Sequence, residues 1–319
     1  MVISSEICLY PQIILLCIMN PVNIFAYNVP EVIREIAKKG TESDITIYHR
    51  KDGETVFTIL SPSRFPEKMS SLTDSIFPAD IVLLGIDEIN KDLGEVLITL
   101  DLMKKERGFI ILKDENKAAL VKKLISNTVA SKYTFFNGTP VELAGTIGSL
   151  KIERKEDGTS IIIDHFFKVK SVGTVALGFV LSGTATKHQN LYASSIENPV
   201  QIRSIQMQDV DVESAPAGSR VGLALKNIEI DDMERGMFLT EARLGKVEKI
   251  ESKIEFHPTL AGKNVSGNEV FICDQMKYAR GFRSGDEIAL DRPISVYRDT
   301  LAVCSNTSVP RILGTVRVK

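Results

Sequence analysis

Short apolar runs alternate with amphipathic segments through roughly the first 150 residues of the chain. The runs with the length of buried strands are residues 22–27, 81–85 and 109–112. The segments with apolar positions at helical spacing are residues 29–39, 93–108 and 116–125. Asp52-Gly53 separates two stretches of period-two alternation, which predicts a hairpin. This alternation of strands and crossover helices predicts a mostly parallel sheet covered on both faces.

Basic residues cluster just before two glycines, where the helical pattern of each segment stops. They are Lys38 and Lys39 before Gly40, and Lys104, Lys105 and Arg107 before Gly108. Cations are favourable at the negative end of a helix dipole. Both clusters are therefore expected at helix C-termini.

The pattern changes after residue 148. Short runs rich in β-branched residues are separated by Gly, Asp, Asn and Pro, as in small all-β sandwiches and barrels. A turn-like segment at residues 231–236 divides this part of the chain in two. The fold class is therefore α/β followed by all-β, and the domains are predicted at 19–148, 149–240 and 241–319.

The apolar run at residues 7–19 needs its own explanation. It is shorter than the roughly 20 residues of a membrane span, Pro11 interrupts it, and Glu6 precedes it in place of a cation. We expect residues 1–18 to be a misassigned start or a disordered extension, with translation beginning at Met19. An ordered extra segment or a weak anchor is the alternative. The protein is expected in the cytoplasm.

Composition and charge exclude several classes of protein. Hydrophobic residues make up 44% and charged residues 25% of 319, and 39 basic against 41 acidic residues leave a net charge of −2. The chain is therefore no polycation, and any contact with nucleic acid needs a local basic patch. The four cysteines are Cys8, Cys17, Cys273 and Cys304. They lack the spacing of a zinc site and fit free thiols, although two disulfides are possible.

An α/β domain followed by two barrels raises the question of nucleotide binding. A phosphate-binding loop needs glycines after the first strand, a Lys for the phosphate oxygens and a Ser or Thr for Mg²⁺. Residues 28–32 read Asn-Val-Pro-Glu-Val, so the glycine is missing, Pro30 removes an N–H group and Glu31 adds negative charge. This loop is not expected to hold a phosphate.

Two further nucleotide elements are missing downstream. Ser61 and Arg64 occupy the positions where an Asp-x-x-Gly element would follow the third strand. Residues 113–116 read Lys-Asp-Glu-Asn in place of a guanine-reading Asn-Lys-x-Asp. The absence of all three elements predicts a protein that hydrolyses no GTP and holds no cofactor or metal.

Residues 165–184 and 200–239 resemble the second domain of translational GTPases of the elongation factor Tu type. The matching motifs, in order, are Gly-Thr-Val at 173–175, Gly183, Ala217-Gly218 before Arg220-Val221-Gly222, and Glu234-Arg235-Gly236. Residues 79–112 are similar to part of a degenerate G domain. The chain looks like the archaeal proteins related to the selenocysteine-specific elongation factor that keep the three-domain shape without GTPase motifs.

The resemblance implies a tRNA site on the second barrel. In members that carry aminoacyl-tRNA, an acidic side chain three positions before the Arg of Arg-Gly packs near the terminal adenosine of the acceptor end. The matching residues are Asp232, Arg235 and Gly236, although the family often has Glu at the first of these. The nearby cations that could meet phosphates are Lys168, Lys170, Arg203 and Arg220.

Simpler roles stand beside these assignments. Arg235 could pair with Glu234 or another carboxylate in a tight turn, and the lysines could be solvated surface residues. One of the neighbours Phe166 and Phe167 is expected in the core, while the other could stack on a base. Thr41 and Thr46 lie where a metal-binding switch threonine would sit, but without the other nucleotide residues we expect no metal there.

The sequence therefore predicts a pseudo-GTPase that binds tRNA, aminoacylated or not, or the ribosome, and acts in translation. No DNA or membrane partner is expected, and the protein is predicted to be a monomer without catalytic residues. Two alternatives remain open. One is a residual GTP-binding elongation factor. The other is a protein-interaction subunit of the translation machinery, which would dock through the third barrel around Phe271, Ile272 and Phe282.

Overall fold

The first sheet of the computed structural model, which describes residues 19–261 and 267–318, has seven strands in the order β2-β3-β4-β1-β5-β6-β7. The strands are β1 (Asn20–Tyr27), β2 (Lys38–Glu42), β3 (Thr46–Asp52), β4 (Thr55–Ser61), β5 (Ile81–Ile86), β6 (Gly108–Leu112) and β7 (Thr134–Phe135). The pairs from β4 to β7 are parallel, whereas β2, β3 and β4 form antiparallel hairpins. Residues 1–18, with Cys8 and Cys17, lie outside the described residues.

Helices cover both faces of this sheet, so its central strands are buried throughout. The helices are α1 (Pro30–Ile36), α2 (Met69–Ile76), α3 (Lys91–Leu102), α4 (Ala118–Ile125) and α5 (Pro140–Gly148). Phe25 and Leu84 face a core with α2, α3 and α4, while Ile24 and Leu83 face a second core with α1 and α5. Alternate residues of a strand point to opposite faces, which explains the two cores. The fold class expected for this part of the chain is confirmed.

The ends of two helices differ from the expectation. The first helix ends at Ile36, and Lys38 and Lys39 begin the edge strand β2. The helix predicted over residues 93–108 ends at Leu102, and Gly108 opens β6. Lys105 does meet carbonyls at a helix C-terminus, but those of α2, because its Nζ donates to the carbonyl oxygens of Phe77 (2.7 Å) and Ala79 (2.6 Å). Sequence spacing alone could not identify this partner.

The second sheet closes on itself. Its strands are β8 (Ser160–Val169), β9 (Gly173–Ser182), β11 (Asn190–Ala193), β12 (Pro199–Met207), β13 (Val210–Val212), β15 (Arg220–Lys226) and β16 (Phe238–Thr240), with β10 (Thr184–Thr186) and β14 (Ser214–Pro216) paired beside it. The order is β11-β16-β8-β9-β15-β12-β13, and β11 also pairs with β12. That additional pairing makes a barrel around an apolar core.

The third sheet is antiparallel and strongly curled. Its strands are β17 (Lys246–Glu251), β18 (Glu255–Phe256), β19 (Glu269–Asp274), β20 (Lys277–Ser284), β21 (Glu287–Ser295), β22 (Thr300–Cys304) and β23 (Ile312–Arg317). The two edge strands of the sheet, β17 and β18, are separated by only residues 252–254. The sheet must therefore curl until its edges approach each other. Ile272 is in its core and Phe282 is exposed. Cys273 and Cys304 are free, buried thiols.

The three domains pack on one another. One apolar cluster combines Ile47 of the first domain, Phe179 of the second and Met276 of the third. The third domain docks on α3, because Glu95 accepts hydrogen bonds from the backbone N (2.7 Å) and the guanidinium of Arg311. No helix among the described residues is long and apolar enough to cross a membrane.

Candidate nucleic-acid interface

Lys168 and Lys170 lie where strand β8 ends and the chain turns into β9. Both side chains are exposed. The Nζ atom of Lys168 is 3.5 Å from a carboxylate oxygen of Glu229, and both members of this ion pair are open to solvent. Exposed ion pairs contribute at most about 1 kcal/mol. The pair is therefore no barrier to a phosphate at Lys168.

Arg203 reaches the same end of the barrel from β12. The ladder between β12 and β15 is irregular between Ile202 and Ser204, which leaves Arg203 out of the regular pairing. Such a bulge redirects a side chain. Arg203 is exposed, and its Nη1 donates to the carbonyl oxygen of Val172 in the β8–β9 turn (3.1 Å). The contact holds the guanidinium beside that turn.

Lys226 is a fourth exposed cation at this end, and the sequence analysis missed it. It is the last residue of β15, opposite Gln201 of β12. Lys168 lies opposite Thr174 of β9, which lies opposite Leu225 of β15, so the cations of β8, β15 and β12 lie within four adjacent strands that span roughly 14 Å at the usual strand spacing. We call the following set the basic end: Lys168, Lys170, Arg203 and Lys226. The sequence could have indicated Lys226, because it is a polar residue at the end of a strand with alternating apolar positions.

An aromatic pair lies next to the basic end. Phe167 and His165 are on the outer face of β8 with ring centroids 6.3 Å apart, and Phe167 is 41% exposed. Phe166 packs against the barrel core, as expected for one of the two neighbouring phenylalanines. An exposed aromatic ring beside cations is a typical stacking platform for an unpaired base.

Arg220 is far from the basic end. It lies opposite Phe179 on β9, five residues and roughly 17 Å along that strand from Thr174. Its Nη1 is 2.5 Å from Asp164 Oδ1, its guanidinium stacks 4.7 Å from the centroid of Phe179, and its side chain is only 10% exposed. The structure places Arg220 in an internal ion pair, which also occupies the carboxylate next to His165.

Arg235 points out of the second domain into the first. Its Nη1 is 2.9 Å from both carboxylate oxygens of Asp44, and its Nη2 is 2.8 Å from Asp74 Oδ2. Gly236 follows with a φ of +80° and donates its N–H to the carbonyl oxygen of Ile163 (2.8 Å). The sequence left two roles open for Arg235, an RNA contact or an ion pair with a carboxylate. The structure pairs Arg235 with carboxylates, and these belong to the first domain.

The two carboxyls at Arg235 differ in pKa. Asp74 is 1% exposed, and burial raises the pKa of Asp74 to about 7, which outweighs the attraction of Arg235. Burial also disfavours the charge on Asp44, but hydrogen bonds from Lys68 and Arg235 hold the pKa of Asp44 well below its usual range. Asp44 is therefore the charged partner of Arg235 at all ordinary pH values, and Asp74 titrates near neutrality.

Asp232 closes a short turn between the basic end and the third domain. Its carboxylate accepts from the backbone N of Glu229 (3.3 Å), the residue whose side chain pairs with Lys168. Asp232 is exposed and lines a cavity of about 540 Å³ together with Lys277 and Arg292 of the third domain. The structure thus links Asp232 to the basic end through Glu229, whereas the guanidinium of Arg235 is directed at Asp44 and Asp74 of the first domain.

The carboxyl ends of the parallel strands, where α/β sheets bind ligands, are occupied by side chains of the protein itself. Asp87 accepts from the Asn28 side chain (3.2 Å), and its carboxylate is 2.7 Å from Lys113 Nζ. Lys117 Nζ donates to the carbonyl oxygen of Asp87 (2.6 Å). A Cβ at Gly85 would meet the carbonyl oxygen of Asn28 at 2.2 Å, because this loop packs directly on β5.

The threonines considered as metal ligands have other surroundings. Thr46 Oγ1 is 2.5 Å from Ser63 Oγ, and Thr41 is exposed on β2. Among residues 19–261 and 267–318, no group of three or more His, Cys, Asp or Glu side chains could hold a metal ion.

Comparison with known proteins identifies the fold. The profile of elongation factor Tu domain 2 matches residues 173–240. The apo crystal structure of the translation elongation factor SelB from Methanococcus maripaludis superimposes with a TM-score of 0.77 at 19% identity, covering 94% of this chain and 80% of that one. The three-domain architecture is therefore that of SelB, and the expected α/β plus β-barrel class is confirmed.

Comparison with related sequences points to the same group of proteins. An uncharacterized protein of Methanocaldococcus jannaschii is 37% identical over 238 residues, 74% of this chain and 77% of that protein. The selenocysteine-specific elongation factor of the same organism is 32% identical over 184 residues, which cover 51% of this chain and 39% of that factor. The chain belongs to the translational GTPase superfamily, in the group of elongation factor Tu and the selenocysteine-specific elongation factors.

Proposed function

We propose that this protein is a non-catalytic member of its superfamily that binds tRNA at the acceptor end, or the ribosome, without hydrolysing GTP. The observation that carries the proposal is the contrast between two sites. The second barrel keeps an exposed basic end, while the ligand edge of the first sheet is occupied by the protein's own side chains.

The edge of the first sheet supports the absence of GTP hydrolysis. Lys113 and Lys117 both contact Asp87, so the cations at this edge already have a partner within the protein. Helix α1 begins with Pro30 and carries Glu31 in its first turn. The negative charge of this carboxylate disfavours a phosphate at the same helix end. These contacts support the proposed pseudo-GTPase assignment.

The basic end supports RNA binding. Its four cations lie on one end of the barrel, and the one carboxylate paired with Lys168 is itself exposed. Phosphate contacts supply affinity without sequence information, and Phe167 offers a ring on which an unpaired base can stack. The single-stranded acceptor end of a tRNA provides both kinds of contact, because its bases are unpaired.

Parallel binding measurements on the purified chain test the proposal. The ligands are total aminoacyl-tRNA, deacylated tRNA, a random RNA of equal length, and GTP with Mg²⁺. We expect salt-sensitive binding to tRNA that exceeds binding to random RNA, and no rise in melting temperature with millimolar GTP. Preference for the aminoacylated form would identify a carrier of charged tRNA.

Two results would overturn the proposal in different ways. Equal affinity for tRNA, random RNA and an acidic polymer would remove the tRNA assignment. Thermal stabilisation by GTP and Mg²⁺ would instead favour the residual GTP-binding factor. A stable protein partner recovered without RNA, together with no tRNA binding, would favour the protein-interaction alternative.

A further inference from the structure

Three domains meet at Arg235. The side chain comes from the second domain, between the turn at Ile230–Asp232 and strand β16, and its guanidinium spans Asp44 and Asp74 of the first. Tyr278 of the third domain donates its hydroxyl to Asp74 Oδ1 (3.3 Å). We call Arg235, Asp44, Asp74 and Tyr278 the clamp. Each domain contributes at least one of its members.

The clamp is attached to the third domain a second time, through the residues that flank Arg235. Glu234 Oε1 is 2.5 Å from Lys277 Nζ, a side chain that is only 7% exposed. At Gly236 a Cβ would lie 2.7 Å from the backbone N of Lys277, so the backbones of these two segments are in direct contact. Residues 234–236 therefore connect the second domain to both of the others.

The two carboxyls of the clamp lie on segments that flank the ligand side of the first domain. Asp44 lies between β2 and β3, where the sequence analysis located a switch-like region, and Lys68 fixes it (2.7 Å). Asp74 is on α2, which follows the missing Asp-x-x-Gly element. In switch proteins a γ-phosphate orders such segments, and the ordered segments set the domain arrangement. Here side chains of the protein make those connections.

We propose that the clamp holds the three domains in one closed arrangement, so that this protein needs no nucleotide to reach it. This inference rests on the proposed function in one respect, because it assumes that the chain has no GTP-driven switch. The geometry fits this role because Arg235 makes charge-assisted hydrogen bonds to two carboxyls at once, which fixes direction as well as distance. A rigid closed arrangement also presents the basic end of the second barrel in a constant position.

Small-angle X-ray scattering of the full chain tests the clamp. For the wild type we expect one compact profile that is unchanged by millimolar GTP and Mg²⁺. The variant Arg235→Gln should show a larger radius of gyration and maximum dimension, because the guanidinium that joins the domains is gone. Arg34→Gln is the matched control, since Arg34 is exposed and pairs with Glu31 within α1 (3.5 Å).

A second variant guards against simple misfolding of the first. Asp44→Asn keeps the size of the side chain and removes its charge, and circular dichroism checks that the secondary structure is retained. Expansion of both folded variants with a compact control supports the clamp. A folded Arg235→Gln variant as compact as the wild type, or a wild type that closes only when GTP is added, overturns it. Because no RNA is present, failure here is distinct from failure to bind tRNA.

Discussion

The guanidinium of Arg235 lies between two carboxyls whose pKa values move in opposite directions, because only one of them is fully buried. Asp44 keeps its charge through hydrogen bonds from Lys68 and Arg235, whereas Asp74 is desolvated to the point that its pKa rises to about 7. The like charge of Asp44 also raises the pKa of Asp74, and the buried thiol of Cys273 lies nearby. The attraction of Arg235 opposes the burial, together with hydrogen bonds from Tyr278 and Thr73.

Replacing Asp74 by Asn should remove part of the pH dependence of stability. The pKa of Asp74 is raised on folding from 3.8 to about 7. Folding therefore favours the protonated form, and its contribution is complete below about pH 4 and lost as pH rises through 7. Urea unfolding between pH 4 and 8 should show a free energy that falls less steeply with pH in Asp74→Asn than in the wild type.

Asp52→Asn is the control for this series, because Asp52 is exposed and pairs with Arg50 on the same hairpin. Its pH profile should follow that of the wild type. An unchanged slope in Asp74→Asn would mean that Asp74 is ionised in the folded protein throughout this range.

At the scale of elements, the basic end of the second barrel is the place where we propose that RNA binds. Strands β8 and β15 end there and β12 begins there, and each contributes at least one exposed cation. Arg220, on the same strand as Lys226, lies at the opposite end and is held by Asp164. Two cations of one strand therefore have different surroundings because they are at opposite ends of it.

Removing two lysines of the basic end should weaken tRNA binding and reduce its salt dependence. For Lys168→Gln with Lys226→Gln, the slope of log affinity against log salt should fall by roughly 1.5, since each lost phosphate contact accounts for about 0.7–0.9. Titrations at several salt concentrations measure this slope. The control pair Lys51→Gln with Lys123→Gln removes two exposed cations of the first domain and should leave it unchanged. Equal slopes in both double variants would place the phosphate contacts elsewhere.

The elements that the sequence predicted best were those with strong local patterns. The Asp52-Gly53 hairpin is present between β3 and β4, with Gly53 at a φ of +56°. Helix ends were less predictable, because Lys38 and Lys39 continue into an edge strand whose pairing with β3 is a tertiary contact. Helix α2, with six of its eight residues buried, was not predicted at all. Its amphipathic pattern is short and includes several polar residues.

The residues of the candidate site also differ in how far the sequence could predict them. Exposed cations such as Lys168 and Arg203 could be chosen from residue type and strand pattern. The partners of Arg220 and Arg235 could not, because they depend on how sheets and domains fold against one another. Arg235 meets Asp44 across 191 residues of sequence, and no local pattern carries that information.

At the scale of the whole molecule, the third domain is attached to α3 by the ion pair of Glu95 and Arg311. Glu95 is 4% exposed, and the Arg311 guanidinium also donates to the carbonyl oxygen of Pro66 (2.7 Å). His257 adds a second contact through its Nε2, 3.1 Å from Asp101 Oδ2. Glu95 and Asp101 both lie on α3, and the loop at Pro66 adds a third contact to the third domain.

The variant Glu95→Gln should uncouple the unfolding of these two domains. Losing one member of a buried ion pair leaves the other charge uncompensated, which costs about 3 kcal/mol. Calorimetry should show a lower melting temperature and a transition that separates into two. Glu255→Gln, which removes an exposed partner of Arg317 within the third domain, should change neither. A single unshifted transition for Glu95→Gln would contradict the assigned role of this contact.

The Glu95–Arg311 pair also has a consequence for synthesis of the chain. The two residues are 216 positions apart, and ribosomes add about 5–20 residues per second. Arg311 is therefore added roughly 10–40 s after Glu95. Asp44 and Asp74 likewise lack their partner until Arg235 has been added. During that interval the newly made first domain displays hydrated carboxylates on the faces that its barrels will later cover. Those charges discourage nascent copies from associating through unfinished surfaces before each chain completes its own interfaces.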